Sequence, residues 1–120
     1  MTTGDRIMGE QPVPDAALRD PAATELARIW VAEHGLHCAL RIGVYDETPI
    51  DEARAWGMML ADLMRHLGRG LSDYYRRDPN EVVEVLLEAM REELVSPTSP
   101  VQGELVEGGR SKSVRRGQGH

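Results

Sequence analysis

The stretch Thr24–Tyr45, TELARIWVAEHGLHCALRIGVY, decides the fold, because it reads in two ways. As a helix it starts well after Asp20-Pro21, stops at Gly35, and sets Ala23, Leu26, Ala27 and Trp30 at helical spacing. As a hairpin, Ala27, Ile29 and Val31 alternate with Arg28 and Trp30, while Leu36, Cys38, Leu40 and Ile42 alternate with His37 and Arg41. The second alternation makes a poor helix. The two meet at His34-Gly35, where a tight turn with Gly second suits positive φ. The reading is therefore a hairpin, with strands over about 25–33 and 36–45. Pairing across that turn sets Val31 opposite Cys38 and Ile29 opposite Leu40. One face is then apolar (Ala27, Ile29, Val31, Leu36, Cys38, Leu40, Ile42). The other is mixed (Arg28, Trp30, Ala32, His37, Ala39, Arg41).

Downstream, Thr48-Pro49 begins a helix over about 49–75. Thr48 suits a cap, Pro49 the first helical position, and Asp51 and Glu52 the positive end of the macrodipole. Ala53, Trp56, Leu60, Leu63, Met64, Leu67 and Leu71 recur at three- and four-residue steps and form one apolar arc. This arc is the expected cover for the apolar hairpin face. Gly57 beside Trp56 is the expected point of close approach, and Gly68 and Gly70 mark an expected bend or early end. Asp78-Pro79-Asn80-Glu81 starts a second helix over about 79–95, with Val83, Leu86, Leu87, Met90 and Leu94 on its apolar face. The short link at Tyr74–Arg77 makes the two helices antiparallel neighbours.

The fold class expected is α+β: a β-hairpin followed by two antiparallel α-helices packed on one sheet face, spanning 22–95. Residues 1–21 read as a flexible arm whose Gln11-Pro12-Val13-Pro14 piece lies on the domain surface. Residues 96–120, rich in Pro, Ser, Gly and charge, read as a disordered tail.

Composition narrows the function classes. With 120 residues there is room for one small domain. There is no Phe, so aliphatic side chains and Met fill the core. A net charge of −6 argues against nonspecific nucleic-acid binding. The tail cations Arg110, Lys112, Arg115 and Arg116 are few and lack aromatic neighbours, so they read as solvated. A lone Cys38 excludes an intrachain disulfide, and no apolar run suggests a signal or a membrane span. The expectation is a cytoplasmic protein without membrane contact.

The runs Arg28-Ile29-Trp30-Val31, Leu36-His37, Arg41-Ile42-Gly43 and Ala55-Trp56-Gly57, with Asp62 and Arg65-His66, resemble a small bacterial family known only as domain of unknown function DUF5076. The resemblance implies a strand hairpin followed by a helix and brings no activity with it.

Two polar groupings are candidate ligand sites. Asp62 and His66 lie four apart on one helix face, where a carboxylate can orient an imidazole for proton transfer, or simply form a surface pair. Arg28, Trp30, His37 and Arg41 share the mixed hairpin face, with the two arginines close to opposite each other. Facing cations call for an anion between them: an anionic ligand stacked on Trp30, or Glu81, Glu84 or Asp46-Glu47 from the protein itself. Pairing with such acids, within the chain or from a second subunit, is the favoured of the two. His37 and Cys38 point to opposite strand faces and cannot share a metal ion, and no cofactor motif occurs.

Ala55, Met58 and Met59 form a second apolar strip, read as an oligomer contact. A lone two-stranded sheet leaves two open edges, which side-by-side pairing of two hairpins would reduce. The functional expectation is a noncatalytic interaction or scaffold module acting as a homodimer. The alternative is an anionic-ligand binder or enzyme built on the hairpin arginines with Asp62 and His66.

Overall fold

The computed structural model describes residues 9–98, 101–107 and 113–114. The elements are α1 (Asp15–Arg19), β1 (Ala27–Ala32), β2 (Gly35–Ile42), α2 (Glu52–Tyr75), α3 (Pro79–Val95), β3 (Val101–Glu107) and β4 (Ser113–Val114). The class is α+β, with the hairpin followed by two long helices.

β1 and β2 pair antiparallel, with Ala27 opposite Leu40, Ile29 opposite Cys38 and Val31 opposite Leu36. The expected register is thus off by two positions. The turn is Glu33-His34, both left-handed at φ 51° and 65°, and not His34-Gly35. The turn sits one residue earlier because Gly35 already pairs with Ala32 as part of the ladder. Side chains alternate with period two, so a shift of two leaves both expected faces intact. It does separate the arginines, because Arg28 now faces Ala39.

The sheet continues beyond the hairpin in the order β1-β2-β3-β4. β3 lies parallel to β2, with Cys38 opposite Gly103 and Leu40 opposite Leu105. The expectation of a disordered tail fails for this segment. Its Val, Leu and Glu residues pair with a strand on the far side of both helices, which local composition cannot reveal. Other parts of that tail, including Arg110, Lys112, Arg115 and Arg116, lie outside the described residues. At Gly103 φ is +139°, and a Cβ there would stand 1.6 Å from the Cys38 carbonyl oxygen, so only glycine fits. Because β3 occupies the outer edge of β2, that edge is closed within the chain.

α2 begins later than Thr48-Pro49 suggests. Asp51 is the cap and accepts from the Ala53 N–H at 3.1 Å. Thr48 instead closes the preceding turn, donating from Oγ1 to the Tyr45 carbonyl at 2.6 Å and accepting from the Ile50 N–H at 3.2 Å. α2 then runs unbroken through Gly68 and Gly70 to a left-handed cap at Arg76. Just beyond it the Ser72 hydroxyl donates to the Arg77 carbonyl. Pro79 opens α3 at its first position, as the sequence indicates.

α2 and α3 pack on each other, and the close approach lies at Gly68 instead of Gly57. A Cβ on Gly68 would meet Val83 Cγ2 at 2.8 Å, whereas one on Gly57 would meet nothing within 4 Å. Among the described residues the buried positions, Gly68, Ser72 and Val82, all belong to this helix pair, with Val82 only 3% exposed. Among the described residues no Cα of either helix lies within 8 Å of a strand Cα, and Leu60, Leu63 and Leu67 of α2 stay exposed.

Candidate functional site

A cleft of about 910 Å³ lies between Gly9–Pro14 and β1, with Arg28 and Trp30 in its wall. It wraps the outer edge of β1, so Ile29 and Val31 also line it. The arm thus lies against the domain, as its prolines suggest, and carries the short helix α1.

Arg28 is held by two carboxylates. Its Nε donates to both Glu25 oxygens at 3.0 Å, and its Nη1 donates to Glu10 Oε2 at 2.9 Å. Hydrogen bonding to Glu25, then to Glu10, keeps the Arg28 guanidinium above its ordinary pKa. Arg41 Nε donates to the Glu25 backbone carbonyl at 3.3 Å. Glu25 therefore joins the two arginines, its carboxylate serving one and its carbonyl the other. Intramolecular acid does meet the arginine, but it comes from Glu10 and Glu25. The sequence pointed to Glu81, Glu84 and Asp46-Glu47. Trp30 faces His37 across the ladder, and both are half-buried.

Asp62 and His66 lie apart from this group, on α2. Asp62 accepts from Arg65 Nη2, three residues on, and not from His66. A planar guanidinium at that spacing reaches a carboxylate readily. The six candidate ligand residues therefore fall into two places: Arg28, Trp30, His37 and Arg41 on the sheet, and Asp62 and His66 on the helix. Of the candidate contact strip, Met58 is exposed, while Ala55 and Met59 are half-buried. Among the described residues no cluster of His, Cys, Asp or Glu could hold a metal ion. None of their helices is long and apolar enough to cross a membrane. Cys38 is a free, half-buried thiol.

Sequence reading assigned Glu52 only to the helix macrodipole. Its carboxylate in fact accepts from the Gly43 N–H at 3.1 and 3.0 Å, and from the Trp56 indole N–H at 3.0 Å. It ties the first turn of α2 to the end of β2. The i, i+4 spacing of Glu52 and Trp56 was the available signal. A second omission is the exposed line Leu60, Leu63 and Leu67, expected to be core and left open to solvent.

Residues 10–98 match the domain of unknown function DUF5076, and the chain belongs to that family. Among solved structures, it is similar to a protein provisionally called a pyruvate dehydrogenase, from the photosynthetic bacterium Rhodopseudomonas palustrus CGA009. The two share 28% identity at a TM-score of 0.59, over 77% of this chain and 88% of that one. No protein of curated function matches the sequence.

Proposed function

We propose that this chain is a noncatalytic interaction or scaffold module that works as a homodimer in the cytoplasm. The observation that carries the reading is the apolar surface left uncovered on both layers, from Ile29 and Val31 on the sheet to Leu60, Leu63 and Leu67 on α2. Exposed apolar area of this extent marks a protein contact. The pairing of Arg28 with Glu10 and Glu25, and of Asp62 with Arg65, supports structural work for these charges. Light scattering on the eluting protein should give twice the 13.3 kDa chain mass. A monomer at high micromolar concentration removes the homodimer from the proposal.

The rival reading is a binder of small carboxylates. Arg28 and Trp30 in the cleft wall favour it, as does the pyruvate in the name of the similar solved protein. In that reading pyruvate raises the melting temperature and Arg28→Ala abolishes the rise. A pyruvate scan with no shift in the parent protein eliminates it.

A further inference from the structure

β1 ends the sheet on one side, and its outer edge pairs with no strand among the described residues. The Arg41 N–H donates to the Leu26 carbonyl at 2.9 Å, which marks these two as a bonded pair. Bonded and non-bonded pairs alternate along an antiparallel ladder. Arg28 and Trp30 therefore bond to β2, while the N–H and C=O groups of Ala27, Ile29 and Val31 point away from it. Among the described residues no backbone group outside the sheet bonds to this outward row. Such a row is a template for a strand of another chain. β3 already occupies the opposite edge of the hairpin, so β1 is the edge that remains.

The arm lies beside this edge, across the cleft. The Glu10 carboxylate reaches Arg28 Nη1 at 2.9 Å and joins positions 18 apart in sequence. Between them the chain turns back at Asp20, whose carboxylate accepts from the Ala22 N–H and whose carbonyl accepts from the Ala23 N–H. The backbone from 10 to 28 and one ion pair thus make a closed loop next to β1. Pro12 and Pro14 have no N–H, so the arm is itself a poor strand. Inside the loop, α1 buries no residue and has no Cα within 8 Å of another element among the described residues. Glu10 is therefore the fastening, in place of packing or strand pairing.

We propose that this loop is a strap, fastened by Glu10 on Arg28, that keeps the β1 edge from adding a strand of a second copy. A strand in a folded sheet has neighbours and a chain continuing at both ends, and it does not thread a closed loop. The strap guards the backbone edge and not the apolar face, since Ile29 and Val31 stay 58% and 82% exposed. A partly exposed ion pair favours the closed loop only about two- to fivefold, so the strap opens readily. This goes beyond the homodimer reading and does not use it: it names the edge that a second copy is denied.

Glu10→Gln and Glu10→Arg in the full chain test the strap. A spin label at Val13→Cys, in a Cys38→Ser background, should broaden the Ile29 and Val31 methyl signals of the parent. Glu10→Gln should lower the closed-to-open ratio about two- to fivefold, and Glu10→Arg, which sets like charges together, should lower it further. Sedimentation velocity should show assemblies larger than the parent's, growing in the same order. Adding Ile29→Pro removes an outward N–H and leaves the ladder bonds of Arg28 and Trp30, so it should return the parent's mass. Should that variant fail to fold, Ala27→Pro at the first strand residue serves the same purpose. Unchanged broadening in Glu10→Arg overturns the fastening. A released arm with the parent's mass, or larger assemblies that survive the proline, overturns the guarded edge. So does a parent whose own association disappears on Ile29→Pro, because its β1 edge is then already in use.

Discussion

The helix pair and the sheet are built to different degrees of self-sufficiency. α2 and α3 hold every buried position among the described residues, and a glycine and a valine are fitted to each other where they cross. The sheet has a complete backbone ladder but leaves Ile29 and Val31 in water. Backbone pairing fixes strand positions without providing a core. The ladder therefore specifies where an apolar face lies, while Ile29 and Val31 on it stay exposed.

The sharpest way to break this contrast is at the most crowded glycine, Gly103. Gly103→Ala sets a methyl against the Cys38 backbone, which cannot rotate away, and should cost about 3 kcal/mol or more. Hydrogen exchange should then show the 101–107 amides losing protection while α2 and α3 keep theirs. Retained protection would mean the ladder tolerates the side chain. Next in size, Val82→Ala removes the apolar anchor of the helix pair and should lower unfolding free energy by about 2–3 kcal/mol in a urea titration. Glu52→Ala should cost about 2 kcal/mol, from lost bonds to a charged acceptor, and should shift Trp56 fluorescence. Unchanged stability and emission would show that α2 is aimed by something other than this clamp.

A smaller effect separates two glycines on one helix. Gly68→Ala meets Val83 and should destabilise by about 1 kcal/mol net, whereas Gly70→Ala meets nothing within 4 Å and should stabilise by up to about 1 kcal/mol. Adding Val83→Ala should offset part of the first loss. The smallest effect concerns Glu93, near the end of α3. The Thr98 N–H, and then its hydroxyl, hold the Glu93 carboxyl below its ordinary pKa. A lowered carboxyl adds stability above its unfolded-state pKa, and this is lost as pH falls through the lower folded value. Thr98→Ala should move Glu93 upward toward the ordinary value in an NMR titration. An unmoved titration would assign the whole shift to the backbone bond.

The legible parts of the fold were those written locally. Alternation in 27–42 gave the two sheet faces correctly even though the turn was displaced, because a two-residue slip preserves them. Pro79 announced α3, since a residue without an N–H suits the first helical position, although Asp78 before it makes no side-chain cap bond. What was illegible depended on distant partners. β3 pairs across both helices, so nothing near 101–107 signals it. Periodicity placed Gly57 and Gly68 on the same helix without saying which one meets a neighbour. Arg28 plainly needed acid, but Glu10 comes from an arm with no periodic pattern to locate it. Leu60, Leu63 and Leu67 were recognised as an apolar line. Their exposure depends on which elements the chain places beside α2, which hydropathy does not encode.

The parallel pairing of β3 with β2 also imposes a timetable. The β1–β2 hairpin joins residues close in sequence, and such hairpins form in about 1–10 μs. β2 then waits for Leu36 to meet Val101, from beyond both helices. At the usual pace of synthesis, roughly 5–20 residues per second, the nascent chain carries a bare strand edge for several seconds. That interval, set by the ribosome, is when an unwanted strand can add to β2. A chain cut short after Thr98 would never leave it.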